Sequence, residues 1–308
     1  MIKQQLPIII IGGATASGKT DFALKLAQYY DVEVVSADSR QVYRYMDIGT
    51  AKVSADEQRM VSHHLIDVVE PDKDFSVADF TDMAHAAVID IFNRGKIPLV
   101  VGGTGLYLRA LTDGLIDAPS ENAQLRAELL EDERQNSGCL YQRLLKVDNC
   151  LAQTIHPNDI TRIVRGLEVY VQSGTKLSQI QQQHAFREQR YRPLKFAPSV
   201  DRALLYERIN KRVGTMINEG LLRETQHLLK RGFTPSLKSM RTIGYRQAIA
   251  HLCDNMSLDD AIAWIQLETR RYAKRQLTWF RKDKTINWVD YNHEFDSIRE
   301  SIDKFYFN

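Results

Sequence analysis

Three cysteines in 308 residues, Cys139, Cys150 and Cys253, are too few for a disulfide framework or a four-cysteine zinc site. That scarcity points to a reducing compartment, with the cytoplasm as the expected location. Long apolar runs are also missing near the start: Leu6 to Ile11 is too short for a signal-peptide core or a membrane span, so no membrane partner is expected. There is no internal repeat and no low-complexity stretch, which removes solenoids, fibres and flexible tails. The apolar fraction of 44% and charged fraction of 26% are those of an ordinary folded chain. At about 150 residues per domain the length suggests two domains, and no exposed interface pattern speaks against a monomer.

A strong overall charge is absent as well, since the net is +2, but its distribution is uneven. Residues 1–116 carry 11 basic and 15 acidic side chains, whereas 117–308 carry 30 and 24. Residues 202–248 hold ten basic against three acidic side chains, and 264–284 hold seven against two. An asymmetry of this kind fits an anionic partner for the basic half, and it equally fits solvated helix faces.

The first third alternates strands with helices. Leu6 to Ile11 reads as a strand buried on both faces, Glu33 to Ala37 as a second and Ile97 to Val101 as a third. A helix is predicted over 75–92, with Ser76 as its N-cap and Gly95 as its stop. From Glu121 to about Gln183 the spacing is helical throughout, with Asn158 or Asp159 capping the helix that carries Arg162. His184 to Pro198 is basic and broken by two prolines, and falls at the end of the helical insertion. Helices over roughly 202–231, 244–253 and 258–281, a strand over 286–289 and a helix over 294–306 complete the chain. The expected fold is α/β: a P-loop NTPase-like parallel sheet flanked by helices, with an all-helical domain inserted over 119–197. The core is then discontinuous, 1–118 and 198–308.

Gly13-Ala14-Thr15-Ala16-Ser17-Gly18-Lys19-Thr20 matches G-x-x-x-x-G-K-[ST] between a strand and a helix. Backbone N–H groups and a helix N-terminus in that arrangement cradle phosphate oxygens. Lys19 reaches the terminal phosphate, Thr15 and Ser17 offer further hydroxyls, and the Thr20 hydroxyl ligates Mg²⁺. The motif specifies a di- or triphosphate without saying which. An ATPase also needs a strand-end carboxylate beside the loop, yet the third strand ends in Gly102-Gly103-Thr104-Gly105. The strand-end acid is instead Asp38, which suits metal held through water or a general base. Lys19, Asp38 and Thr104 are expected to share one crevice at the carboxyl ends of the strands. A small-molecule kinase and an RNA-binding ATPase are the competing readings at this point. His63-His64 with Asp67 lacks a third ligand for zinc.

Ser36-Ala37-Asp38-Ser39-Arg40-Gln41-Val42-Tyr43, Met46-Asp47-Ile48-Gly49-Thr50-Ala51-Lys52, His63-His64-Leu65-Ile66-Asp67 and Val101 to Tyr107 are further blocks. They continue in His156-Pro157-Asn158-Asp159 with Arg162 and Arg165, Arg241 to Gln247, and Lys274 to Arg281. Together with the phosphate loop, in this order, they resemble the bacterial tRNA dimethylallyltransferases, also called tRNA isopentenyltransferases. Two small departures are Ala14, where the family usually has proline, and Gly166, where alanine is usual.

The resemblance implies transfer of a dimethylallyl group from dimethylallyl diphosphate to the exocyclic amine of the adenosine just 3′ of a tRNA anticodon. It implies that the loop, Lys19 and Mg²⁺ on Thr20 hold the diphosphate, with Asp38 on the metal through water or as the base, and Thr104 beside the reacting adenine. It further implies contacts to the anticodon stem-loop from Asp38, Ser39, Arg40 and Gln41, from Thr104 and Arg126, and from Thr161, Arg162 and Arg165. The same holds for Arg241, Gly244, Tyr245 and Arg246, and for Lys274, Arg275, Gln276 and Arg281. Tyr272, Trp279 and Phe280 are either stacking platforms for splayed bases or the core stripe of their helix. Arg208 and Arg212 lie four apart on a helix face, within reach of the diphosphate or simply solvated.

Overall fold

A computed structural model of the chain describes residues 5–184 and 190–307. The first stretch runs β1 (Leu6–Gly12), α1 (Lys19–Ala27), β2 (Val32–Ser36), α2 (Ala55–Met60), β3 (His63–His64), α3 (Val77–Asn93), β4 (Ile97–Gly102) and α4 (Gly105–Asp113). Five helices follow: α5 (Ala123–Gln135), α6 (Cys139–Val147), α7 (Asn149–Ala152), α8 (Ile160–Ser173) and α9 (Leu177–His184). The chain then continues through β5 (Tyr191–Pro198), α10 (Arg202–Glu219), α11 (Leu221–Lys230), α12 (Tyr245–Cys253), α13 (Leu258–Phe280), β6 (Ile286–Val289) and α14 (Phe295–Tyr306).

The strands form one parallel sheet in the order β3-β2-β4-β1-β5-β6. Side chains alternate across a strand, and the apolar run of β1 shows why both faces must be covered. Ile8 and Ile10 enter the core built on α3, with Phe80, Ala84, Val88 and Ile91. Ile9 and Ile11 enter the opposite core, with Phe22 and Leu26 of α1 and Ile298 and Ile302 of α14. The helix predicted over 75–92 is α3, and Ser76 caps it in a capping box with Asp79. Buried Glu33 on β2 receives Arg94 Nη2 at 2.6 Å and His64 Nε2 at 2.8 Å. The Arg94 guanidinium holds its carboxyl far below the usual range, and His64 thereby has a structural partner.

One expectation fails. Residues 191–197, assigned to the helical insertion, form with Pro198 the strand β5, which lies between β1 and β6. The prolines that argued against a strand sit where the ladder is one-sided. Pro193 is in register with Ile8 before β6 joins at Lys195, and Pro198 faces Val289 after the pairing with β1 ends at Phe196. A missing N–H is tolerated at such edge-like positions. Residues 185–189 of the same basic stretch lie outside the described residues.

The described residues fall into two compact units, one within 1–112 and 189–308, the other within 113–188. The second unit was expected to run over 119–197. Its helices have their own core, around Leu129, Leu140, Leu144, Ile163 and Leu167. Gly166 fits there because a Cβ would stand 2.7 Å from Leu151 Cδ2, so its absence lets α8 close on α7. Among the described residues no helix is long and apolar enough to cross a membrane.

Candidate active site

The phosphate loop connects β1 to α1. Gly18 is the N-cap of α1 at φ +94°, a conformation that favours glycine, and no side chain caps the helix. The N–H groups of the first turn therefore lack a side-chain acceptor, which leaves them for an anion. Lys19 Nζ donates to Ala14 O at 2.7 Å, using one of its three donors. Burial lowers this ammonium from 10.5 to about 8; Asp38 opposes the shift and Arg212 adds to it. Arg212 Nη1 also donates to Thr15 Oγ1, at 3.3 Å, so α10 closes over the loop.

The loop is braced from α13. Gln276 is buried; its Oε1 accepts the Thr15 N–H at 2.8 Å, and its Nε2 donates to Gly103 O at 2.9 Å. One side chain thus ties the phosphate loop to the end of β4 and satisfies the Thr15 N–H. Gly103 and Gly105 permit this approach, because Cβ atoms there would collide with Gln276 and Trp279 respectively.

Asp38 and Thr104 lie at adjacent strand ends, since β2 pairs with β4. Asp38 Oδ1 accepts the Arg40 N–H at 2.8 Å, which fixes the turn and leaves Oδ2 outside that bond. Thr104 Oγ1 accepts the Ser39 N–H at 3.0 Å, and the Thr104 N–H donates to Ala37 O at 3.2 Å. The Tyr272 hydroxyl lies near Thr104; burial, reinforced by Asp38, pushes its pKa up to about 12, so it stays neutral. Lys19, Asp38, Ser39 and Tyr272 border a cleft of about 690 Å³; Thr104, expected in the same crevice, is bonded to Ser39 on that wall but is not itself part of the lining. Seven lysine and arginine side chains border it against three carboxylates, the balance an anionic ligand needs.

The family model for IPP transferase matches residues 41–283, and that for isopentenyl transferase matches 6–67. The chain is 51% identical over 300 residues to tRNA dimethylallyltransferase 1 of Syntrophotalea carbinolica, covering 97% of this chain and 96% of that one. A crystal structure of the tRNA isopentenylpyrophosphate transferase of Bacillus halodurans superposes with a TM-score of 0.72 at 36% identity, over 98% of this chain and 97% of the other. The chain belongs to the IPP transferase family. A eukaryotic dimethylallyltransferase, described as acting on tRNA, matches at a TM-score of 0.74 and 31% identity, over 89% of this chain and 70% of that one.

The fold brings most of the expected IPP transferase site together. Thr15, Ala16, Gly18, Lys19 and Thr20 border the cleft, while Gly13, Ala14 and Ser17 form the buried back of the loop. Asp38 to Gln41 line a second side, and Arg208 and Arg212 a third. Arg241, Gly244, Arg246 and Arg275 border it as well, whereas Lys274 and Arg281 are exposed outside it. Tyr245 was expected at an RNA-facing surface and is not there: it is fully buried, its hydroxyl bonded to Glu224. Phe280 is core, and Trp279 is partly exposed against Gly105.

In the helical unit Thr161 and Arg162 are exposed. Arg126 and Arg165 are instead paired to the wholly buried Glu168, at 2.9 and 2.8 Å. Burial would raise the Glu168 carboxyl, but Arg126, the Asn122 N–H and Arg165 together hold it below its ordinary value. These two arginines therefore have a folding role in that unit.

Magnesium suits the donors present. Thr20 and Asp38 both face the cleft, and the described residues contain no group of three or more His, Cys, Asp or Glu able to hold a metal. Two hard oxygen donors with open positions for water and phosphate are the usual Mg²⁺ arrangement.

Sequence reasoning missed Tyr272 as a neighbour of Thr104 and Gln276 as the brace of the loop. A signal was present: Ile265, Glu268, Thr269, Tyr272, Arg275 and Gln276 share one helix face, which is largely polar and faces the cleft. Glu224 left no such signal, because three of its four partners are backbone groups.

Proposed function

We propose that the chain transfers a dimethylallyl group from dimethylallyl diphosphate to the exocyclic amine of the adenosine immediately 3′ of a tRNA anticodon, releasing diphosphate. The observation that carries this is an uncapped phosphate loop facing a strand-end carboxylate, Asp38, across one basic cleft. The amine nitrogen bonds to the prenyl C1 as the C1–O bond to the diphosphate breaks. Asp38 takes the proton the amine loses, through the oxygen that does not hold the Arg40 N–H. Thr104, fixed by Ser39 and neighboured by Tyr272, hydrogen-bonds the base. The loop N–H groups, Lys19 and Arg212 stabilise the leaving charge. Mg²⁺ held by Thr20, with Asp38 through water, would add charge neutralisation at the same oxygens.

The adenosine must leave its stack to reach this centre. Arg241, Arg246, Lys274, Arg275 and Arg281 supply phosphate contacts for a single-stranded loop, as do Thr161 and Arg162 on the helical unit. Cys150 and Cys253 are exposed free thiols, which supports work in the reducing cytoplasm.

The test is incubation with radiolabelled dimethylallyl diphosphate and unmodified tRNA, where label enters tRNA. Asp38→Asn is expected to lower kcat by about 10²–10⁴ while inorganic diphosphate and tRNA still bind. A loss of binding as large as the loss of rate would make Asp38 a positioning group.

A further inference from the structure

Residues 46–52, between the exit of β2 and α2, border the cleft at Gly49, Thr50 and Ala51. The loop is held by one carboxylate from α11. Glu224 Oε2 accepts the N–H groups of Asp47 at 3.0 Å and Ile48 at 2.9 Å. Its Oε1 accepts the Gly49 N–H at 3.1 Å and the Tyr245 hydroxyl at 2.6 Å. Three consecutive backbone N–H groups converging on one anion form a nest, filled here by a side chain of the same unit. The buried Tyr245 ring lies where a Cβ on Gly49 would stand, so it backs the loop directly. Lys52 closes the far end on Tyr43 O, Asp47 and Asp67.

The loop leads on to the reacting centre. Gln41 Nε2 donates to Ala51 O at 3.1 Å, and Ser36 Oγ donates to Gln41 Oε1 at 3.2 Å, two residues before Asp38. We infer that Glu224 is a positioning residue for the transfer: it fixes loop 47–51 and thereby the cleft wall beside Asp38. The inference rests on the function proposed above. Glu224 accepts three backbone N–H groups and the Tyr245 hydroxyl, and only a carboxylate offers acceptors to all four donors. The amide of a glutamine would turn an N–H group toward one pair of them.

The experiment uses the full chain, with Glu224→Gln and Tyr245→Phe. Hydrogen exchange is measured at the amides of 47–49, kcat is expressed per site titrated by diphosphate, and inhibition by inorganic diphosphate is recorded. Glu224→Gln is expected to speed exchange at 47–49 and lower kcat at least about tenfold, because small misplacements of reacting groups are costly. Inhibition by diphosphate should stay within about twofold, since the phosphate loop is braced separately. Tyr245→Phe should have a smaller effect that disappears in the Glu224→Gln background. Faster exchange with unchanged kcat would overturn the inference, and so would a fall in diphosphate binding matching the fall in kcat. If Glu224→Gln does not fold, Tyr245→Phe carries the same readouts. A wild-type chain that leaves tRNA unlabelled would overturn the proposed function instead, a result read before any variant is made.

Discussion

Replacing Gln276 by leucine tests whether α13 braces the phosphate loop or only presents groups to RNA. The substitution nearly conserves volume and removes two hydrogen bonds, to Thr15 N–H at 2.8 Å and Gly103 O at 2.9 Å. Each backbone group left unpaired away from water costs about 1–3 kcal/mol, so the pair puts roughly 2–6 kcal/mol at stake. Relaxation of the loop recovers part of that, and a net loss of about 2–4 kcal/mol is expected. Total stabilities are about 5–15 kcal/mol, so the variant should still fold. At about 2 °C per kcal/mol for a chain of this size, the melting temperature falls by roughly 4–8 °C. The functional effect should exceed the structural one. A loop no longer held open binds inorganic diphosphate more weakly, so the upward shift in melting temperature on adding diphosphate shrinks. Gln276→Glu should be worse for binding than leucine, because it sets a carboxylate oxygen against Gly103 O and a negative charge beside the cradle. Scanning fluorimetry with and without diphosphate measures both quantities. If Gln276→Leu keeps the wild-type melting temperature and the full diphosphate shift, the bracing argument is wrong and Gln276 returns to the RNA contacts.

Two further expectations concern charge. Lys19 is protonated below about 8 and neutral above it, so kcat/KM for dimethylallyl diphosphate should fall as pH rises through about 8. Lys19→Arg should lack that limb, because a guanidinium does not titrate there, and a wild-type profile flat to pH 10 would contradict the assignment. Lys274→Ala and Arg275→Ala should each weaken tRNA binding and reduce the slope of log K against log salt by about 0.7–0.9. An unchanged slope would place those side chains outside the RNA footprint.

The sheet was legible because its signals are local and redundant. The apolar runs at Leu6, Val32 and Ile97, each followed by a loop bearing glycine or an acid, permit little besides buried parallel strands. β5 was not legible, because Pro193 and Pro198 are strand breakers unless the pairing of both neighbours is known. The phosphate loop, Asp38 and Thr104 could be read from strand-end chemistry alone. What stayed hidden were residues whose partners are backbone groups far away in sequence: Gln276 on Thr15 and Gly103, and Glu224 on residues 47–49. A side chain that serves a distant N–H has no pattern of its own. Tyr245 erred in the opposite direction: its motif drew attention to it, but the motif is kept by packing against Gly49 and bonding to Glu224.

The uneven charge of the chain suggests an acidic catalytic half and a basic RNA-binding half, and the structure does not divide that way. α10 and α13 belong to the same compact unit as the phosphate loop and form walls of its cleft. Arg208, Arg212 and Arg275 therefore border the same cleft as Lys19, so part of the basic charge faces the proposed diphosphate site and not a separate RNA-facing half. The lowered Lys19 pKa follows from this arrangement, because the ammonium is buried and held near Arg212, with Asp38 opposing the shift. An incoming diphosphate reverses that balance by bringing negative charge to both cations at once. It raises the Lys19 pKa as it binds, so binding takes up protons above about pH 8, and the stabilisation that diphosphate gives the folded chain weakens as pH rises through that range.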